Sequence, residues 1–126
     1  MAERRRRAAF AIALGCGAAI WLLSPLVTGR AEPWDAAGWY YTGALFLAGC
    51  VVATLFPAHP GVAAIGIVAG QILVLLGRVA TNPSGGGLWP LGIVFLVGYG
   101  VVPLLGAALG AAAGRLRQRN HRPDAA

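Results

Sequence analysis

The sequence predicts an all-α integral membrane bundle of four transmembrane helices with both termini on the cytoplasmic side, and three observations predict it. Hydrophobic residues make up 58% of the 126 positions and charged residues 11%, with a mean hydropathy of +0.71. Soluble domains carry roughly 25% charge. The apolar residues fall into four runs over about 8–28, 37–56, 60–80 and 89–114, and about 20 such residues cross a hydrocarbon layer as a helix. The basic residues are all Arg: Arg4, Arg5, Arg6 and Arg7 precede the first run, and Arg115, Arg117, Arg119 and Arg122 follow the last. Cytoplasmic loops hold the excess of basic residues, and only Arg30 and Arg78 lie elsewhere.

This distribution also bears on partners. A net charge of +6 gathered at two ends of an oily chain points to anionic lipid headgroups, where each Arg adds about 1 kcal/mol, and away from nucleic acid. The whole chain reads as a single transmembrane domain. Its loops are too short for a separate soluble unit, so any activity sits within the bundle or at its rim.

Span one resembles a secretory signal in its Arg-rich start. Its apolar run is longer than the roughly 7–15 residues of a signal core, and removing it leaves an odd number of spans, so it is expected to stay. Ser24-Pro25 is expected to kink or end the helix. The following loop holds Arg30, Glu32, Pro33, Trp34 and Asp35, with Asp35 placed to cap span two. Trp39, Tyr40 and Tyr41 open that span, and with Trp21, Trp34 and Trp89 they read as an aromatic belt on the outer side.

Pro57-Ala58-His59-Pro60 reads as a tight turn, with Pro60 at the first position of span three. Spans two and three then form an antiparallel hairpin. Thr81 to Gly87 is rich in breakers, and Leu88-Trp89-Pro90 restarts the chain. Span four is longer than a perpendicular crossing and contains Pro103, so a kink near Tyr99 is expected. Residues 115–126 read as a disordered tail.

Small residues recur every four positions at Ala11, Gly15 and Ala19, at Gly66 and Gly70, and at Gly106, Gly110 and Gly114. Such rows let helix backbones approach where lipid supplies no hydrophobic drive. They serve packing inside one bundle or, alternatively, a homo-oligomer seam. Cys16 and Cys50 lie at similar depth within apolar runs, in no metal or redox motif.

Gln71 is the most polar side chain in mid-span, and a polar group there needs a partner. Tyr99 lies at similar depth, so both are expected to face the interior and to hydrogen-bond. At the outer rim Arg30, Glu32, Asp35, Arg78, Asn82 and Trp89 collect. The candidate binding residues are therefore Gln71, Tyr99, Arg78, Asp35, Glu32 and Trp89. No Asp, Glu, Lys or Arg lies deep in a span, which speaks against ion-coupled pumping. The membrane-embedded Glu of small multidrug transporters and the Asn and Phe-rich pattern of fluoride channels are missing. His59 has no carboxylate or Cys beside it in sequence, and the hydroxyls lack a general base, so no catalytic residue, cofactor or metal site is expected. An enzyme acting on lipid would need Glu32 and Asp35 as its carboxylates.

Pro33-Trp34-Asp35, Gly70-Gln71 and Leu88-Trp89-Pro90-Leu91-Gly92 resemble segments of small, uncharacterised four-helix membrane proteins of bacteria. The resemblance implies placement in a bacterial inner membrane and carries over no activity. The expectation is a non-catalytic membrane protein that engages a partner protein or lipid. The alternative is a small oligomeric transporter or channel with a polar path at Gln71 and Tyr99.

Overall fold

The computed structural model describes residues 1–30, 38–82 and 87–122. Among them there are five helical segments and no strand: α1 (Ala2–Thr28), α2 (Gly38–Leu55), α3 (Pro60–Thr81), α4 (Trp89–Tyr99) and α5 (Val101–Asn120). Since α4 and α5 continue one another, the chain has four helices long and apolar enough to cross a membrane. This architecture is compatible with a multi-pass membrane protein. Its outer surface carries Leu22, Leu26, Leu47, Ile65, Leu73 and Val97, all exposed.

Local sequence explains the ends. Helix α1 begins before its apolar run because Glu3 pairs with Arg6 and Arg7 at 3.2 and 3.0 Å, the spacing at which helical neighbours meet. It continues past Pro25 to Gly29, whose φ of 72° supplies the left-handed cap that glycine adopts without strain. Ser24 and Thr28 are tied within that last turn, the Thr28 hydroxyl donating to the Ser24 carbonyl at 2.8 Å and the Ser24 hydroxyl to the Arg30 carbonyl at 2.9 Å. The helix therefore tolerates Pro25 and stops at Gly29.

The fourth span breaks at Gly100, between α4 and α5. Pro103 lacks an N–H and crowds the carbonyl four residues earlier, that of Tyr99. At its far end the helix runs through Arg115, Arg117 and Arg119 to Asn120, correcting the expectation of a disordered tail from residue 115. Basic residues in a last turn complement the helix dipole.

The helices pack as two close pairs, α1 with α3 and α2 with α5. Both pairs are parallel and not sequential. The α2–α3 hairpin expected from the short turn exists, but it is a looser contact than either pair. Glycines explain the preference. A methyl added at Gly17 would collide with the Ile67 carbonyl, and one at Gly70 with the Leu14 carbonyl. On the other side, Gly49 lies on the Pro103 carbonyl, Gly106 on Phe46 and Gly110 on Cys50.

Each pair is locally symmetric. The same spacing along the chain separates Gly17 from Gly70 and Leu14 from Ile67, and another separates Gly49 from Gly106 and Phe46 from Pro103. The sequences in register are similar too, Ala11-Ile12-Ala13-Leu14 matching Ala64-Ile65-Gly66-Ile67.

The packed row on α1 differs from the one expected. Ala11 and Gly15 are exposed, and a methyl at Gly15 would meet nothing. The buried row is Ala9, Ala13 and Gly17, which leads on to Trp21. On α3 and α5 the rows Gly66–Gly70 and Gly106–Gly110–Gly114 are buried as read. Cys16 and Cys50 are free and half-buried.

Overpacking a core costs about 1–3 kcal/mol, with backbone collisions at the upper end. Gly70→Ile and Gly110→Ile are therefore expected to lose about 3 kcal/mol of stability each, whereas Gly15→Ile is expected to be neutral. Unfolding of the detergent-solubilised variants in a denaturant series measures all three.

Candidate functional site

Gln71 is fully buried in α3. The glycine before it, Gly70, holds α1 so close that Trp21, one turn beyond Gly17, reaches across. The Trp21 indole Nε1 donates to Gln71 Oε1 at 3.1 Å, and the Tyr41 hydroxyl of α2 donates to the same oxygen at 2.5 Å. The Gln71 amide nitrogen donates back to the Ile67 carbonyl of its own helix at 3.3 Å. Three helices thus converge on one side-chain oxygen. No buried side-chain N or O among the described residues lacks a partner, as a site shielded from water requires.

Trp21 is 0% and Tyr41 1% exposed, so these two belong to the core and not to the interfacial belt assigned from sequence. Trp39 at 72% and Trp89 at 40% exposure remain on the surface. The signal for the difference was spacing: Trp21 continues the Ala9–Ala13–Gly17 row, and Tyr41 continues to Leu45, Gly49 and Ala53.

Tyr99 does not bond Gln71. Its ring meets Tyr41 edge-on, with centroids 4.9 Å apart and planes at 69°, a favoured geometry for aromatic pairs. It is half-buried and also lines a groove of about 410 Å³ with Leu91, Val94, Phe95, Gly98 and Val102. The expected Gln71–Tyr99 pair is therefore mediated by Tyr41.

The guanidinium of Arg78 lies over the Trp21 ring, 5.3 Å from its centroid, within reach of a cation–π attraction. The two places picked out by sequence, the Gln71 midplane and the Arg78 rim, are joined by Trp21. Arg78, Trp21, Gln71, Tyr41 and Tyr99 form one continuous column. Glu32 and Asp35, and with them the capping role read for Asp35, lie outside the described residues, as does Trp34.

Chemically the column is a saturated acceptor between two donors. Its central oxygen has both lone pairs engaged, and among the described residues no group of three His, Cys, Asp or Glu side chains gathers to hold a metal. No family model matches the chain, and no curated protein or solved structure matches it significantly.

Removing the shared acceptor orphans two buried donors, whereas removing one donor leaves the acceptor served by the other. A buried unsatisfied group costs about 1–3 kcal/mol, and measured interhelical bonds in membranes average about 0.6 kcal/mol. Gln71→Leu is therefore expected to destabilise by about 2 kcal/mol, Tyr41→Phe by about 0.6 kcal/mol, and Tyr99→Phe by less. Equilibrium unfolding in mixed micelles checks the order.

Proposed function

We propose that the protein is a non-catalytic, multi-pass membrane protein that acts by engaging lipid or a partner membrane protein through its surface. In this reading the Arg-rich ends face the cytoplasm of a bacterial cell and the exposed Trp39 and Trp89 face the other side of its inner membrane. The observation that carries the reading is the closed state of Gln71. Its oxygen accepts from Trp21 and Tyr41, its nitrogen donates to Ile67, and the side chain has no exposed area. A polar group lining a transport path keeps hydrogen-bonding capacity for water or cargo, whereas here the Gln71 oxygen is engaged between helices and the nitrogen donates within α3.

The charge arrangement supports the same reading. Eight of the ten basic residues stand at the two chain ends, on the side where anionic headgroups attract them. The rival, an oligomeric channel with a polar path along Gln71 and Tyr99, draws support from the partial exposure of Tyr99 and requires Tyr41 to swing off Gln71.

Two measurements separate the readings. In a background with Cys16→Ala and Cys50→Ala, Gln71→Cys is expected to resist a charged, water-soluble thiol reagent in intact vesicles while Gly87→Cys reacts. Labelling of Gln71→Cys at the rate of Gly87→Cys selects the channel. A fluorescent protein fused after Ala126 is expected to fluoresce in cells, and an alkaline phosphatase fused there to stay inactive. The reverse pair of results overturns the orientation.

A further inference from the structure

Resting on that reading, we propose that the Arg-rich end carries a defined site for the phosphate of an anionic phospholipid headgroup, built from Arg5, His59 and Arg115. Helices α1 and α5 do not pack against each other, and the turn between α2 and α3 lies between the start of one and the end of the other. This leaves a cavity of about 220 Å³ lined by Arg5, Phe56, Pro57, His59, Arg115 and Gln118. Its polar walls come from three separate elements, and Phe56 and the buried Pro57 add apolar lining.

The cavity has no balancing negative charge among the described residues. Glu3 is their one carboxylate, and it pairs with Arg6 and Arg7. Arg5 and Arg115 form no ion pair among them. Arg115 is nevertheless held in place, since its Nη2 donates to the Pro57 carbonyl at 3.2 Å. A guanidinium has five N–H donors in a planar fork suited to phosphate, so one bond to the turn fixes the group and leaves others for an anion. His59 precedes α3 and gives no side-chain cap to it. It lines the cavity, and the positive end of the α3 dipole adds to the field of the two Arg residues.

Two features favour a lipid over a free anion. The site sits at the end of the bundle where apolar helix surface gives way to Arg. Phe10 on α1, Leu55 at the end of α2 and Leu116 on α5 are exposed and offer an apolar surface to acyl chains. A phosphate held between Arg5 and Arg115 would also bridge α1 and α5, which do not pack against each other.

The test uses the full chain purified in non-ionic detergent and titrated with phosphatidylglycerol or phosphatidylcholine, with bound lipid counted by native mass spectrometry. Arg5→Gln with Arg115→Gln removes two charge-assisted guanidinium–phosphate contacts and is expected to weaken phosphatidylglycerol binding about thirtyfold. Arg117→Gln with Arg119→Gln, which removes the same charge outside the cavity, is expected to change it less than threefold. Gln118→Glu, which places a carboxylate in the cavity and keeps both Arg residues, is expected to weaken binding in the same direction. Circular dichroism and a single elution peak establish that each variant is folded.

Equal losses in the two double variants mean diffuse attraction and overturn the site, as does no loss in either. Displacement of the lipid by millimolar inorganic phosphate overturns the assignment to a lipid. Equal binding of phosphatidylcholine overturns the requirement for negative charge. These results leave the wider functional reading intact, because that reading stands or falls on the labelling of Gln71→Cys.

Discussion

The oxygen of one glutamine side chain constrains most of this structure. Gln71 Oε1 takes a proton donor from Trp21 on α1 and another from Tyr41 on α2, which fixes the rotation of three helices about their axes at once. Both donors belong to large rings, so each brings buried apolar area along with its hydrogen bond. An amide in hydrocarbon without partners costs several kcal/mol. The same requirement that makes Gln71 hazardous in mid-helix makes it specific: few relative placements of α1, α2 and α3 satisfy it.

That arrangement is reachable only because the backbones come together first. Gly17 and Gly70 let α1 and α3 approach until a methyl would strike a carbonyl on the opposite helix, and Gly49, Gly106 and Gly110 do so for α2 and α5. Where the surroundings are as apolar as leucine, close packing and interhelical hydrogen bonds supply the association energy. Parallel pairing follows from where the glycines are. The hairpin turns dictate only that consecutive helices run oppositely, and they leave open which helices pack most closely.

Depth along each helix was legible in the sequence, and rotation about it was not. Counting apolar residues located four apolar helices and the Pro57–Pro60 turn and put Gln71 in mid-helix, although α1 begins and α5 ends beyond the apolar runs, at Ala2 and Asn120. Charge counting identified the Arg-rich ends, although the helix extends over Arg115–Arg119 because basic residues suit a C-terminal turn. The helices are apolar around their whole circumference, so no polar stripe marks the outside. On α1 two small-residue rows compete, Ala11–Gly15–Ala19 and Ala9–Ala13–Gly17, and only the second points inward. Trp21 and Tyr41 were placed at the interface by their chemistry alone, yet each sits on the buried row of its helix. Once that is seen, the Gln71–Tyr99 contact becomes two contacts with Tyr41 between.

A column from Arg78 through Trp21, Gln71 and Tyr41 to Tyr99 therefore connects one rim of the bundle to its middle, with every described polar group in the core satisfied internally. What remains at the surface is the exposed apolar wall, the aromatic and basic rim, and the cavity beside Arg115 at the opposite end. Hydrogen exchange of the Trp21 indole N–H, followed by NMR of the protein in lipid nanodiscs, tests this account most directly. The buried Trp21 indole is expected to exchange far more slowly than that of the exposed Trp39. Exchange of the two at similar rates would contradict it, showing that water reaches Gln71.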